Sequence, residues 1–260
     1  MKGKNYQKFI VPILFIILWQ TVSTVEVFDP KYLPSPIRVV QAWREWIFGS
    51  ATEPNLWYSG TWLKHMQDSF IRVAIGFFVA SLAGVILGML IGWFSFFSNL
   101  FDPFIQLLRP IPITAWLPFA IVLFGIRDPS AIFLIALGAF FPVVVNTTAG
   151  AQRVSKVLIR AALMLGTKPT MLLPRVVLPA ALPSIFTGLR LGVGLAWVLV
   201  IVAEMLAVDA GLGRALWTAY EFIRMDLIVA AMVTIGILGF LSDQLIVLVR
   251  DRVLRWAKGL

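Results

Sequence analysis

The sequence predicts an all-α, polytopic membrane protein with about six transmembrane helices. Of its 260 residues, 60% are hydrophobic and only 13% are charged. Soluble domains carry about 25% charged residues, so much of this protein's surface must face lipid rather than water. The mean hydropathy of +0.90 agrees with this interpretation. The whole chain, residues 1–260, is predicted to form a single transmembrane domain.

Six apolar runs are candidates for bilayer-crossing helices, which require about 20 predominantly apolar residues each. They cover residues 9–25, 70–94, 112–124, 130–147, 185–208 and 227–249. The first run follows Lys2, Lys4 and Lys8, and no small-residue cleavage site comes after it, so it is predicted to be an uncleaved signal anchor. The third run is short and rich in proline.

The distribution of basic residues predicts the orientation of these spans. An even number of spans places both termini on the same side of the membrane. On that side Lys and Arg strongly outnumber Asp and Glu, whereas the segments on the opposite side are nearly balanced. Both termini are therefore predicted to be cytoplasmic, in a multi-pass protein of the bacterial cytoplasmic (inner) membrane. This distribution also explains the net charge of +9 without a nucleic-acid partner.

The segment after the first span contains an amphipathic stretch at residues 37–47. Its apolar side chains recur at helical spacing on one face: Val39, Val40, Trp43, Trp46 and Ile47. This pattern is typical of an interfacial helix with an aromatic anchor. An ordinary helix packed within an external loop explains it equally well.

The residue types argue against an enzyme. The chain has no cysteine, and its one histidine, His65, is expected to be an ordinary exposed loop residue. A metal dyad, a Cys or Ser nucleophile with its base, and a G-x-S-x-G motif are all missing from the sequence, which disfavours an intramembrane enzyme. We find no pair of repeated halves, which weakens the case for a secondary carrier built from inverted repeats.

The loop at residues 150–183 is the most informative segment. It carries five basic residues and no acid, yet it is also rich in Leu, Ile and Met. A first short helix is predicted at residues 157–165, ending at Gly166, and a second begins near Pro169 and breaks at residues 178–183. An apolar patch rimmed by basic residues is typical of a docking site for a partner.

This loop also carries a family resemblance. Permease subunits of ABC importers have a signature of the form E-A-A-x3-G-x9-I-x-L-P. At the same spacing this chain has Arg160, Ala161, Ala162, Gly166, Val176, Leu178 and Pro179. Two positions depart from the pattern, because Arg160 stands where the signature has Glu and Val176 where it has Ile.

The resemblance extends over residues 65–255. Residues 108–118 are similar to the "RP-x-P-x2-AWLP" segment of the nitrate, sulfonate, taurine and bicarbonate branch of these permeases. Residues 182–190 and 203–213 match further segments of the same branch in the same order. The chain is thus identified as resembling a type I ABC importer permease.

The resemblance implies a division of the chain and a set of partners. Residues 1–64 would form the anchor helix and external loop, residues 65–255 the permease core, and residues 150–183 the coupling loop. The partners would be two ATP-binding subunits, a second permease copy in a homodimer, and an external (periplasmic) solute-binding protein. No G-x-x-x-x-G-K-[ST] motif occurs here, so ATP and Mg would bind the partner subunits, and no cofactor is expected in this chain.

The implied function is a translocation pathway for a small anionic solute such as nitrate, bicarbonate, or an alkylsulfonate of the taurine class. An uncharged heterocyclic nutrient remains an alternative within the same family. A stand-alone channel or secondary carrier is a further alternative, although neither would need a docking loop.

Two sets of residues are candidates for these roles. The residues expected to contact the ATPase are Arg160, Ala161, Ala162, Leu165, Gly166, Lys168, Leu178 and Pro179. The residues expected along the pathway or its gate are Trp116, Phe119, Asn146, Thr147, Arg190, Trp197 and Glu204. The proline-rich third span is expected to line the pathway at the dimer centre, since irregular backbone at membrane depth needs a covering of protein or a water-filled cavity.

Several residues of the spans also have a structural explanation. Trp116 and Phe119 could serve only in the packing of helices. A carboxylate lining an anion pathway needs a partner, so Glu204 is expected to pair with a donor rather than contact the solute. Arg72 is expected to snorkel to the outer interface. Gly84, Gly88 and Gly92 share one helical face, which favours close helix packing.

Overall fold

The computed structural model describes residues 7–25, 28–50 and 56–256, and within them all regular structure is helical. The all-α prediction is therefore confirmed for this part of the chain. The α-helices are α1 Gln7–Thr24, α2 Pro36–Phe48, α3 Trp62–Trp93, α4 Ser95–Leu108, α5 Leu117–Phe124, α6 Asp128–Gln152, α7 Lys156–Met164, α8 Pro169–Leu172, α9 Leu178–Ala207, α10 Leu212–Glu221 and α11 Met225–Val253.

Four helical stretches of the described chain are long and apolar enough to cross a membrane. They are Trp62–Trp93, Asp128–Gln152, Pro169–Ala207 and Met225–Val253. The bent pair Ser95–Leu108 and Ile113–Phe124 would make a fifth span if it crosses as one unit. Ile10–Thr24 is apolar but shorter than these. The structure thus gives four to five spans by length and composition, and the count of six stays a prediction.

The third span is irregular, as its prolines predict. At the predicted residues 112–124 the structure has a 3-10 turn, Ile113–Trp116, followed by the short helix α5. The separate helix α4 precedes it, and the two arms meet at an angle of 92°. Pro110 and Pro112 explain the break, since neither can donate the backbone hydrogen bond that would continue α4. Pro118 is tolerated because it falls in the first turn of α5.

The predicted break at residues 178–183 is wrong. Instead, α8 continues through a π-helical turn, Leu173–Val177, into α9, giving one helical stretch from Pro169 to Ala207. The N–H of Leu178 donates to the carbonyl of Leu173, five residues back. This wider turn shifts the hydrogen-bond register, so that Pro179 falls in the first turn of α9, where its missing N–H costs little.

The chain divides into two compact units, Met1–Asp68 with Ala210–Gly236, and Ser69–Asp209 with Ile237–Leu260. The amphipathic helix α2 belongs to the first unit. Ser35 caps it by accepting a hydrogen bond from the N–H of Arg38. Its buried face consists of Val39, Ala42 and Trp46, whereas Val40 is exposed. The apolar face predicted from the sequence is therefore rotated slightly around the helix axis from the face of α2 that is buried in the structure.

A polar cluster anchors the turn before α11 in the first unit. The hydroxyl of Tyr58 donates to Glu45 Oε2 at 3.0 Å and accepts from Arg224 Nη1 at 3.2 Å. Two hydrogen bonds from Arg224 to Asp226 raise the pKa of the guanidinium, and burial raises the pKa of Tyr58. His65 is a half-buried residue of α3, where Nδ1 accepts from the N–H of Gly211, so the prediction of an exposed loop residue is wrong.

Helix α6 lies at the centre of the second unit, between α3 and α9. On α3, a Cβ atom at Gly84, Gly88 or Gly92 would lie within 3.0 Å of a side chain of α6. On α9, Gly188 and Gly192 approach α6 nearly as closely. Because side chains would force these helices apart, the predicted packing role of the α3 glycines is confirmed.

Candidate coupling surface and translocation pathway

Helix α7 and its C-terminal turn are specified by local sequence signals. Ser155 caps the helix by accepting a hydrogen bond from the N–H of Val157. At the other end, Gly166 has a φ of +83°, its N–H donates to Leu163, and the N–H of Thr167 donates to Ala162. These two bonds form a Schellman cap, which requires a left-handed residue at the glycine position. The predicted stop at Gly166 is confirmed.

This segment presents large apolar side chains to its surroundings. Val157, Met164 and Leu165 are 74%, 89% and 86% exposed. Exposed basic residues surround them: Arg153, Lys156, Arg160, Lys168 and Arg175. We call residues 153–180 the loop surface. Apolar side chains this exposed, within a rim of positive charge, are typical of a surface that a partner covers.

A cavity of about 330 Å³ opens beside α7 on the loop surface. Four of the predicted coupling residues line it, namely Ala161, Ala162, Leu165 and Pro179. Arg160, Gly166 and Lys168 are exposed nearby, and Leu178 is half-buried. The cavity also has walls that were not among the predicted coupling residues: Leu158, Arg175, Val176, Ala180 and Trp256. Trp256 follows α11, so only the fold brings it to this site.

The predicted gate residues lie beside the bend between α4 and α5. The rings of Trp116 and Phe119 meet edge to face at a centroid distance of 5.9 Å. Trp116 packs against a buried cluster that includes Leu117 and Leu199, whereas Phe119 is 51% exposed. The structure therefore gives Trp116 a packing role and leaves Phe119 accessible.

A second cavity, of about 280 Å³, lies between this bend and helices α6 and α9. Asn146 is the one predicted pathway residue among its walls, which are Arg109, Ile113, Gly138, Phe141, Pro142, Val145, Asn146, Leu191 and Leu195. The neighbouring Thr147 faces elsewhere. It is fully buried against Gly88 of α3, which is a packing position.

Arg190 and Trp197 join α9 to α11. Two hydrogen bonds of 2.7 and 2.8 Å connect the guanidinium of Arg190 to Asp243, beside a cavity of about 540 Å³. Trp197 donates from Nε1 to Ser242 at 3.1 Å. Both side chains were predicted along the pathway, and both have partners that hold two helices together.

Glu204 belongs to a buried polar network. Its Oε1 lies 2.6 Å from Arg72 Nη1, and its Oε2 accepts from Ser69 at 2.8 Å. Arg72 also binds Asp128 at the start of α6, at 2.8 Å. The expectation that Glu204 pairs with a donor is confirmed. The expectation that Arg72 snorkels is wrong, because its side chain is only 7% exposed and is held by two carboxylates.

The fold and the loop surface together define a helical membrane protein with a surface suited to a partner subunit. Comparison with known proteins agrees. Residues 80–255 match the family "Binding-protein-dependent transport system inner membrane component". A chain of the MetNI methionine ABC transporter, solved in inward-facing conformations, superposes with a TM-score of 0.63 and 19% identity, covering 78% of this chain and 99% of that chain.

Relatives that match over most of their length identify the family. The nitrate import permease protein NrtB of Synechocystis is 36% identical over 90% of this chain and 83% of its own. The taurine transport system permease protein TauC of Escherichia coli is 34% identical over 94% and 86%, respectively. This chain belongs to the family of binding-protein-dependent transport system inner membrane components. It is a permease subunit rather than an enzyme, and ATP is hydrolysed on separate subunits.

Proposed function

We propose that this chain forms the translocation pathway of an ATP-driven importer for a small oxyanion of the nitrate and sulfonate class. The observation that carries this assignment is the similarity to NrtB and TauC along nearly the whole of each chain. Similarity of this extent includes the segments around the cavities as well as the loop surface. An external solute-binding protein delivers the anion, as in the family to which the chain belongs.

The loop surface docks an ATP-binding subunit in this proposal. Its exposed apolar side chains need a cover, and its charge is uniformly positive between residues 150 and 183. Residues Ala161, Ala162 and Leu165 line the cavity that receives part of the partner, and Arg160 and Lys168 border it. ATP and Mg bind the partner because this sequence has no phosphate-binding loop.

Two copies of the chain pair to enclose the pathway, and each copy binds one ATP-binding subunit. A closed two-fold assembly is the commonest way for identical subunits to form one site. The bent segment around Trp116 and Phe119 faces the pathway in this arrangement. Arg190, Trp197 and Glu204 instead maintain the packing of α9 against its neighbours, because each already has a partner within the chain.

Both termini lie on the cytoplasmic side in this proposal, in a bacterial cytoplasmic membrane. This topology requires Ile10–Thr24 and the bent pair to cross as one span each, in addition to the four long helical stretches. The excess of Lys and Arg in the segments that would then be cytoplasmic supports it.

Reconstitution tests the proposed function directly. The chain, its ATP-binding subunit and its binding protein are incorporated into proteoliposomes, and uptake of nitrate, taurine and an uncharged pyrimidine is measured with and without ATP. We expect ATP-dependent uptake of nitrate or taurine. Uptake of the pyrimidine alone would overturn the anion assignment, and uptake that needs no ATP would overturn the importer.

A further inference from the structure

We propose that Arg109 and Asn146 form an oxyanion-binding subsite inside the permease itself, which the solute occupies after leaving the binding protein. The proposal rests on the proposed function, since it assigns a recognition site for the same class of solute. It places part of the substrate specificity in this chain rather than wholly in the external partner.

The first support is the construction of the 280 Å³ cavity. Arg109 and Asn146 supply its polar side chains, and the remaining walls are apolar or glycine, including Phe141, Leu191 and Leu195. Solute sites in proteins combine mostly apolar walls with a few polar groups that fix the orientation of the ligand. The volume is small for such a site, which suits a solute of a few heavy atoms.

The second support is the charge of the cavity. No carboxylate lies among its walls, and Arg109 forms no ion pair or side-chain hydrogen bond with the residues that the structure describes. By contrast, Arg72, Arg190, Arg224 and Arg250 each bind an aspartate or glutamate. The positive charge of Arg109 is therefore available to an anion that enters the cavity.

Two other cavities of the second unit lack this property. The 540 Å³ cavity contains Arg190 and Arg250, each of which is already paired with an aspartate, so an anion there would have to displace a carboxylate. A cavity of about 190 Å³ is lined by Asp102, which repels anions. The chemistry of an oxyanion thus fits the cavity at Arg109 better than either of these.

The third support is the fixed orientation of Asn146. Its Nδ2 donates one hydrogen bond to the carbonyl of Pro142 at 2.8 Å. A side-chain amide has two N–H donors, so the second remains for a ligand. The close approach of Gly188 on α9 also confines the side chain, since a Cβ atom there would lie 3.0 Å from Asn146 Cβ.

The donors of these groups match the hydrogen-bonding needs of nitrate and sulfonate. A guanidinium donates two parallel hydrogen bonds to two oxygens of one anion, and the Asn146 amide can donate to a third. A site with a single cationic side chain and no metal ion binds an anion with modest affinity. This suits transport, because a transport site must bind its solute weakly enough to release it. The subsite thus selects for oxyanions without trapping them.

The subsite is tested in the assembled transporter by removing the positive charge of Arg109 and by restoring a positive charge at residue 146. We measure the maximal rate and KM of uptake of isotope-labelled nitrate and taurine in proteoliposomes that contain the ATP-binding subunit and the binding protein. The variants are Arg109→Gln, Arg109→Lys, Asn146→Asp and the double variant Arg109→Gln/Asn146→Lys. The matched control is Arg127→Gln, which removes an exposed arginine of the same unit that lies outside the cavity.

We expect Arg109→Gln and Asn146→Asp to lower uptake roughly tenfold or more, the effect of losing a charge-assisted hydrogen bond. Arg109→Lys should keep part of the uptake activity, and the double variant should recover uptake relative to Arg109→Gln. A merely structural role for Arg109 predicts no such recovery, because the restored charge sits on a different helix.

The possible failures are distinguishable. If the unmodified transporter takes up neither anion, the proposed function is wrong. If it takes up an anion and both Arg109→Gln and Asn146→Asp behave like Arg127→Gln, the importer stands and the subsite is refuted. Should Arg109→Gln fail to assemble, the nearly isosteric Asn146→Asp still decides, because unchanged anion uptake by that variant also refutes the subsite.

Discussion

Arg72 and Glu204 form an ion pair of 2.6 Å between α3 and α9, and the Glu204 side chain is completely buried. Asp128, the second carboxylate bound to Arg72, is 61% exposed. The Glu204 end of this network is therefore shielded from water. Removing one partner of a buried pair leaves an uncompensated charge, which costs about 3–5 kcal/mol.

We predict that Glu204→Gln destabilises the protein by about 3 kcal/mol, the low end of this range, because Asp128 still pairs with Arg72. The substitution keeps the shape of the side chain but leaves the cation of Arg72 facing a neutral amide in the buried part of the network. The midpoint of thermal aggregation in detergent, followed by size-exclusion chromatography, measures the effect.

The more exposed pair Arg190–Asp243 provides the control for this prediction. Its side chains are 41% and 27% exposed, so Asp243→Asn should cost about 1 kcal/mol or less. The double variant Arg72→Met/Glu204→Leu, which removes both charges, should recover much of the stability. Equal midpoints for Glu204→Gln and Asp243→Asn would contradict the assigned importance of burial.

We predict that Gly166→Val distorts the turn after α7. A β-branched residue with positive φ costs about 1–2 kcal/mol or more, and no neighbouring atom lies within 4 Å of the added Cβ, so the cost comes from the backbone alone. The variant should insert into membranes normally but lose uptake. Gly194→Ala, in open space within a helix, is the control and should transport normally. Unimpaired uptake by Gly166→Val would show that the turn is not needed.

We predict that Ala162→Trp blocks docking of the ATP-binding subunit. Ala162 lines the 330 Å³ cavity, and an indole ring would fill much of it and overpack the contact. The ATPase should co-purify poorly, or hydrolyse ATP without driving uptake. Leu100→Trp is the control, because Leu100 is exposed on α4, outside the loop surface and its cavity. If Ala162→Trp keeps full uptake with the ATPase bound, the loop surface is not the coupling element.

We predict that Arg160→Glu weakens the complex by about 1–3 kcal/mol, the range for a lost charge-assisted hydrogen bond. Arg160 is exposed in the middle of a uniformly basic segment, which favours an acidic contact on the partner. The apparent Kd for the ATP-binding subunit should therefore rise most at low ionic strength, where screening is weakest. Tighter binding of the Glu variant would mean that the partner presents a basic group instead. Arg252→Glu, at an exposed arginine of α11 outside the loop surface, controls for the general loss of positive charge.

We predict that a reporter enzyme active only outside the cytoplasm gives no signal when fused to the C-terminus. The prediction follows from the excess of Lys and Arg on the side of both termini. A fusion after α2, which the proposed topology places outside the cytoplasm, serves as the positive control. A strong signal from the C-terminal fusion would overturn the topology, and with it the assignment of the loop surface to the cytoplasm.

The features that sequence analysis predicted are those with local signals. The glycine face at Gly84, Gly88 and Gly92 follows from the spacing of these residues along one helix. The turn at Gly166 follows from the backbone freedom of a single residue. The family resemblance likewise lies in short contiguous segments.

The features that it missed depend on distant parts of the chain. Arg72 and Glu204 are 132 residues apart, and no local pattern indicates that they meet. Trp256 reaches the loop surface only because α11 returns to it. The break predicted at the prolines near residue 179 was wrong for a different reason. The π-helical turn that accommodates these prolines has no recognisable sequence pattern of its own.

The continuity of the helical stretch from Pro169 to Ala207 has a mechanical consequence. At 1.5 Å per residue, its 39 residues form a rod about 58 Å long. One end lies on the loop surface, and Glu204 lies near the other. If such a rod tilts by about 5° around one end, the other end moves by about 5 Å, given that length. If the loop surface couples to the ATP-binding subunit as proposed, the π-helical turn at Leu173–Val177 is the point where this rod can flex, and its stiffness would set how much of the subunit's motion reaches the membrane.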